Sequence, residues 1–192
     1  GRDRRAGACR PETEWDGVSS GPVDVSDAQR RRERAAAVRV FADRFLSGPN
    51  QDLYEEFLVT LTRLNRDEAP RGDVKILAKA LGELRYAFKV FAPYAHVRKI
   101  SIFGSSRTPE GHPDYDAAVR FARRMSEVGW MVITGAGDGI MKAGHGGAGR
   151  EASFGVAIRL PFEQKTNTVI ADDDKLVNFR YFFARKLMFM KE

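Results

Sequence analysis

The sequence predicts an α/β protein: a Rossmann-like parallel sheet preceded by a helical extension. Three observations carry this. From Val97 onward, short apolar runs alternate with amphipathic segments, in the order strand, loop, helix, strand, glycine turn, helix, strand. Two of those runs, Lys99–Phe103 and Met131–Thr134, lead straight into glycine: Gly104-Ser105-Ser106 after the first and Gly135-Ala-Gly-Asp-Gly139 after the second. Upstream, residues 26–95 repeat apolar side chains at three- and four-residue spacing with no strand texture.

Taken in order, residues 1–25 are rich in Gly, Pro, Ser and charge and read as a disordered tail. Ser26 is placed to cap a helix starting at Asp27, whose Val38, Phe41 and Phe45 share a face; Gly48-Pro49-Asn50 ends it. A second helix carries Leu53, Phe57, Leu61 and Leu64. A third carries the stripe Leu77, Leu81, Leu84, Phe88 and Phe91, and Pro93 stops it. That stripe is more apolar than one small helical layer needs, so it is expected to face the sheet domain or a second subunit. His112-Pro113-Asp114 opens the helix between the first two strands, with Pro in the first turn and Ala118, Val119, Ala122 and Met125 on its apolar side. The third strand is expected over Phe154–Leu160, a polar stretch follows through Asp172-Asp173-Asp174, and a last helix is expected from about Asn178 to the end. Three parallel strands make a sheet with open edges, which implies that about half of the sheet is missing from this sequence and that the fragment associates through the open edge. The domain organisation is thus a tail at 1–25, a helical extension at 26–95 and an incomplete nucleotide-binding domain at 96–192.

Composition narrows the class. With 43% hydrophobic and 30% charged residues over 192 positions, a globular core is attainable. The single Cys9 cannot form an internal disulfide, which favours a reduced, cytoplasmic setting. No apolar run is long enough to cross a bilayer, and the basic N-terminus has no apolar segment behind it, so neither a membrane nor a secretory signal is expected. The formal net charge of +6 admits nucleic acid as a partner. However, the excess sits in Arg2, Arg4, Arg5, Arg10 and Arg30-Arg31-Arg32, without interleaved aromatics, and reads as a solvated tail and helix face. The three histidines His96, His112 and His145 are scattered, with His145 structural or solvent-facing, and Asp172–Asp174 read as a solvated run, so no metal site is expected.

The glycine turns carry the chemistry. A strand that ends in glycine and enters a helix exposes backbone N–H groups at the positive end of a helix dipole, which suits a phosphate. Two such junctions in parallel strands suggest one pocket at their carboxyl ends. A dinucleotide fold would want Gly-x-Gly-x-x-Gly after the first strand and an acid about twenty residues on. Here the glycines follow the second strand and the third ends Ala157-Ile-Arg-Leu160, so a mononucleotide phosphate fits better. The plainer alternatives stay open: Ser105 and Ser106 as turn residues, Gly135, Gly137 and Gly139 as close-packing positions, and Arg185 as a surface helix residue.

Ser101-Ile-Phe-Gly-Ser-Ser-Arg107, then Val132-Ile-Thr-Gly-Ala-Gly-Asp-Gly-Ile-Met141, then Phe179-Arg-Tyr-Phe-Phe-Ala-Arg-Lys-Leu-Met-Phe189 resemble the LOG ("lonely guy") family of cytokinin-activating phosphoribohydrolases. The resemblance covers roughly residues 97–192, and the helical extension resembles the longer bacterial members. It implies hydrolysis of the N-glycosidic bond of nucleoside 5′-monophosphates, with no redox cofactor, in a homodimer. It also implies that Arg185 is catalytic and that Gly104, Ser105, Ser106, Gly135, Gly137, Gly139, Met141 and Lys186 hold the nucleotide. The family's second catalytic group, a Glu in Pro-Gly-Gly-x-Gly-Thr-x-x-Glu, has no counterpart in these residues, so the 192-residue chain is expected to be inactive alone. Two substitutions depart from the family's Gly-Gly-Gly-Pro-Gly turn. Ala136 is mild only where φ is negative, and Asp138 repels a phosphate unless it faces away. Rival readings are a non-catalytic nucleotide or cofactor carrier on the same fold and an NADP-binding protein using Arg159.

Overall fold

The computed structural model describes residues 25–159 and 166–192. The disordered tail expected at 1–25 lies outside the described residues except for Val25, and so does Leu160 at the expected end of the third strand. The chain divides into two compact units, one ending at Ala69 and one spanning Pro70–Glu192.

The first unit holds α1 (Val25–Phe45) and α2 (Gln51–Arg66), packed on each other. Helix α1 runs through Ser26 instead of starting after it, so Ser26 does not occupy the cap position the sequence suggested. Burial is slight: Ala42 is enclosed, α2 has no fully buried residue, and Phe41, Phe45, Leu53, Phe57 and Leu61 stay exposed.

The second unit contains α3 (Arg71–Phe91), a 3-10 turn at Ala92–Tyr94, β1 (Lys99–Ile102), α4 (Pro113–Glu127), β2 (Met131–Thr134), α5 (Ile140–Ala148), β3 (Ser153–Ile158), β4 (Leu176–Phe179) and α6 (Phe182–Lys191). All four strands are parallel, in the order β1-β2-β3-β4. This is an α/β fold with a Rossmann-like sheet, as the sequence predicts. The fourth strand is one more than the sequence predicts. Val177 and Phe179 are buried and Asn178 is exposed, a two-residue period only four residues long. So short a pattern merges into the helix behind it, which starts at Phe182 and not near Asn178.

Helices cover both faces, because strand side chains alternate. Met131 and Ile133 of β2, Phe154 and Val156 of β3, and Val177 and Phe179 of β4 join Ala87 and Phe91 of α3 and Ala184 and Met188 of α6 in the main core. The Phe91 and Phe154 rings stack there at 4.2 Å. On the other face, Ile102 and Val132 pack with Ala122 of α4, and Ile100, Ile140 and Ala148 close around them. Helix α3 therefore belongs with the sheet, although the sequence groups it with the extension. It docks through Leu84, Ala87, Val90 and Phe91, while Leu77, Leu81 and Phe88 of the expected stripe stay 41–49% exposed. The small Ala87 permits the close approach, and a stripe drawn through large residues alone is rotated off the buried face. Helix α4 starts at Pro113 as expected, and His112 caps it, its Nδ1 accepting from the Asp114 N–H at 3.2 Å.

Candidate functional site

Strands β1 and β2 are neighbours in parallel register, Ile102 opposite Thr134, so the Gly104–Ser106 and Gly135–Gly139 turns leave the same edge of the sheet side by side. They touch. The Ile140 N–H donates to the Ser105 carbonyl at 3.0 Å. Gly139 has φ +63° and ψ −129°, and a side chain there would run into the Ser105 carbonyl and the Ser106 backbone. A Cβ on Gly104 would stand 2.5 Å from Ile140 Cβ. Gly139 and Gly104 are thus required by close approach, the first by conformation too.

Arg185 reaches the same place from α6. Its guanidinium lies against Gly135, where a side chain would collide with Nη2. Its Nε donates to the Val156 carbonyl of β3 at 2.8 Å, and the Phe189 ring centroid is 5.3 Å from Cζ. Burial lowers the proton affinity of this guanidinium, and among the described residues no acidic group acts on it in the opposite sense. Met141 folds beneath the turn: its Sδ and Cε occupy the space that side chains on Gly135 and Gly137 would need. The geometry gives Met141 a packing role, and Lys186, on the next position of α6, is exposed and away from these contacts. Ser105 Oγ accepts from the Arg107 N–H at 3.1 Å, a turn-forming bond that leaves its hydroxyl proton free. Ser106 is exposed.

The second turn rests on a buried polar cluster that the sequence did not reveal. Thr134 Oγ1 accepts from the Ala136 N–H at 3.0 Å and lies 3.0 Å from His145 Nε2, which is also 3.1 Å from the Phe154 carbonyl. Asn167 holds two successive carbonyls of the turn: its backbone N–H donates to Ala136 O and its Nδ2 to Gly137 O, both at 2.9 Å. His145, Thr134 and Asn167 are all buried. Burial pushes the His145 imidazole below its ordinary pKa, partly offset by the Phe154 and Asn167 hydrogen bonds and by the charge of Asp173. Thr134, directly before the first glycine, is the one member with a readable position. Asn167 sits in a stretch with no periodicity to mark it.

One expectation, the solvated Asp172–Asp174 run, needs correction, and two that the sequence left open are decided. Ala136 has φ +64°, so the alanine is a left-handed, strained residue, outside the negative-φ condition under which it would be mild. The Asp172–Asp174 run is not uniformly solvated: the Asp173 side chain is 7% exposed and holds Arg150 Nε and Lys175 Nζ, each at 2.8 Å. His145 is wholly structural, with no exposure to solvent. Asp138 is exposed beside Lys142, whose pKa is raised by Glu110 first and by Asp138 last. Glu192 lies at the opposite end of the sheet, against Lys99 Nζ at 2.9 Å and Lys191, far from the role of an acid beside Arg185.

The helix that carries Arg185 has no side-chain cap of its own at Tyr181. Glu83 of α3 supplies one instead, Oε1 accepting from the Arg180 N–H at 3.0 Å and Oε2 from the Tyr181 N–H at 3.4 Å. Among the described residues no helix is long and apolar enough to cross a membrane, and no cluster of three or more His, Cys, Asp or Glu is arranged to hold a metal. Compared with known proteins, the sequence matches no family and no curated protein.

Proposed function

We propose that this chain binds a nucleoside 5′-monophosphate and forms the phosphate- and ribose-holding part of a LOG-type phosphoribohydrolase, which cleaves AMP or a cytokinin riboside monophosphate to free base and ribose 5-phosphate. The observation that carries the reading is the meeting of two glycine turns at the carboxyl ends of adjacent parallel strands, with the Arg185 guanidinium against the first glycine of one of them. Backbone N–H groups of the turns and the start of α5 anchor the phosphate. That remote binding energy positions the glycosidic bond. Cleavage breaks the C1′–N bond, builds positive charge on the ribose and ends with water on C1′ and a proton on the departing base. Arg185 holds substrate oxygens through its two Nη groups, which its Nε bond to Val156 leaves free to point elsewhere. The carboxylate that would stabilise the ribose cation in this family has no counterpart in these 192 residues.

The same gap favours the second reading, a nucleotide or cofactor carrier: among the described residues no carboxylate pairs with Arg185. Calorimetric titration tests the common premise. AMP is expected to bind the 192-residue chain at least tenfold more tightly than adenosine, a difference of about 1.4 kcal/mol. Equal affinities would overturn the phosphate anchor. Chromatography of free adenine then separates the two readings: a polypeptide holding both these residues and the acidic motif releases adenine from AMP if it is a hydrolase, and none if it is a carrier. The family reading also implies a homodimer, which light scattering checks, and the single cysteine favours a cytoplasmic setting.

A further inference from the structure

The buried cluster under the second turn has a hydrogen-bond logic that assigns the protons shared by His145 and Asn167. A backbone carbonyl only accepts, so His145 Nε2, 3.1 Å from Phe154 O, must carry the imidazole hydrogen. Nδ1 of the neutral ring is then an acceptor. Asn167 has its orientation set independently: Nδ2 donates to Gly137 O at 2.9 Å and Oδ1 accepts from the Val169 N–H at 3.2 Å. The second hydrogen of Nδ2 is left for His145 Nδ1 at 3.1 Å. With His145 neutral in the Nε2–H tautomer, the ring N–H and both Nδ2 hydrogens of Asn167 meet acceptors, and Asn167 Oδ1 stands 3.3 Å from the same Nδ1.

The turn is oriented by this arrangement. Asn167 draws the carbonyls of Ala136 and Gly137 toward itself, through its backbone and its side chain. In a trans peptide the C=O and the following N–H point in opposite directions. The N–H groups of Gly137 and Asp138 are therefore turned away from Asn167, and among the described residues neither has a hydrogen-bond partner. We propose that Asn167 and His145 are positioning residues: a neutral-histidine clasp that aims the Gly137 and Asp138 N–H groups at an anion. The proposal rests on the nucleoside monophosphate reading above and names the residues that preorganise its phosphate-binding turn.

Acid sets the clasp against itself. A protonated His145 presents Nδ1–H to Asn167, whose Nδ2 at 3.1 Å then faces it donor against donor, while Oδ1 at 3.3 Å, already accepting from the Val169 N–H, is the acceptor left to it. The charged group that acts on His145 is Asp173, and Arg150 and Lys175 both pair with it, which weakens its pull on a proton. On α5 the ring's neighbours Gly144 and Gly146 carry no charge, and from the sheet it meets Thr134 and the Phe154 carbonyl.

Long-range ¹H–¹⁵N NMR of the imidazole in the 192-residue chain tests the clasp without any variant. The expected pattern is a neutral Nε2–H ring through pH 6; an Nδ1–H tautomer, or protonation at the ordinary histidine pH, overturns it. Asn167→Asp replaces the Nδ2 donor by an acceptor, so His145 should take up a proton at least one pH unit higher than in the wild type. The amide resonances of Gly137 and Asp138 should shift, and AMP affinity should fall tenfold or more with the melt still cooperative. A folded Asn167→Asp variant with unchanged amide resonances and wild-type AMP affinity overturns the positioning role. Wild-type chain that shows the Nε2–H ring but binds no AMP overturns the nucleotide reading instead, so the two failures are told apart.

Discussion

The two glycine turns start from the same signal, an apolar strand running into glycine, and end as opposites. Gly104–Ser106 is exposed along its length, and its internal hydrogen bond is the local Arg107 to Ser105 contact. The Gly135–Gly139 turn is half-buried to buried apart from Asp138, and its polar groups are held from three other segments through Thr134, His145 and Asn167. One turn is preorganised and the other can adapt to what it meets. Preorganisation removes the ordering cost from ligand binding, so the second turn is suited to set position and the first to close on a ligand.

The largest test of this contrast is alanine at Gly139, where a side chain meets backbone and the φ, ψ pair suits glycine. Gly139→Ala should cost about 3 kcal/mol or more in urea unfolding, from backbone strain and collision combined. Gly104→Ala also creates overlap, with Ile140, but its exposed loop can shift, so a loss of about 1–2 kcal/mol is expected. Equal losses would mean that the first turn is as rigid as the second. Arg185→Ala should weaken AMP binding about tenfold or more, near 1.4 kcal/mol, and Lys should not restore it, since an ammonium lacks the planar fork. Unchanged affinity would return Arg185 to a packing role against Val156 and Phe189.

A smaller effect is set by pH. The folded-state pKa of His145 is depressed, so the unfolded chain, with a histidine near its ordinary 6.5, takes the proton first as pH falls. The stability this site contributes is complete above that value and drains away below it, before the Asp173 carboxyl, itself held below 3.8, begins to titrate. Urea midpoints at pH 7.5 and 5.5 should fall apart in the wild type and converge in His145→Gln; parallel behaviour would show that His145 does not dominate this window. The smallest change has the opposite sign. Gly146 lies on α5 with nothing within 4 Å of where a side-chain methyl would stand, so Gly146→Ala should raise stability by about 0.5–1 kcal/mol. A loss there would mean that α5 is strained by the clasp at its neighbour His145.

What the sequence made legible follows the range of the forces involved. Strands β1 and β2, their glycines and the proline-led start of α4 are local patterns, and the structure has them where the pattern puts them. Strand β4 escapes because four residues of alternation carry too little signal beside a longer helix. The docking face of α3 is misdrawn because burial depends on Ala87, whose small size matters only once the sheet is opposite. In the site, the glycines and Arg185 are readable as types at spacings. The clasp is not, since Asn167 and His145 are 22 positions apart and meet through folding alone. The sign of φ at Ala136 is equally out of reach, being imposed by bonds from Thr134 and Asn167.

The Glu83 cap on α6 has a consequence for the order of events in folding. At 10 residues and without a cap of its own, α6 is too short to persist as an isolated helix in water. Its missing partner is a side chain 97 positions earlier in the chain, on a helix that must first have found the sheet. Closing so long a loop is entropically slow, and contacts of that span are made late. The segment that delivers Arg185 is thus among the last to become helical, and the guanidinium reaches Gly135 only when the rest of the sheet unit has already been assembled.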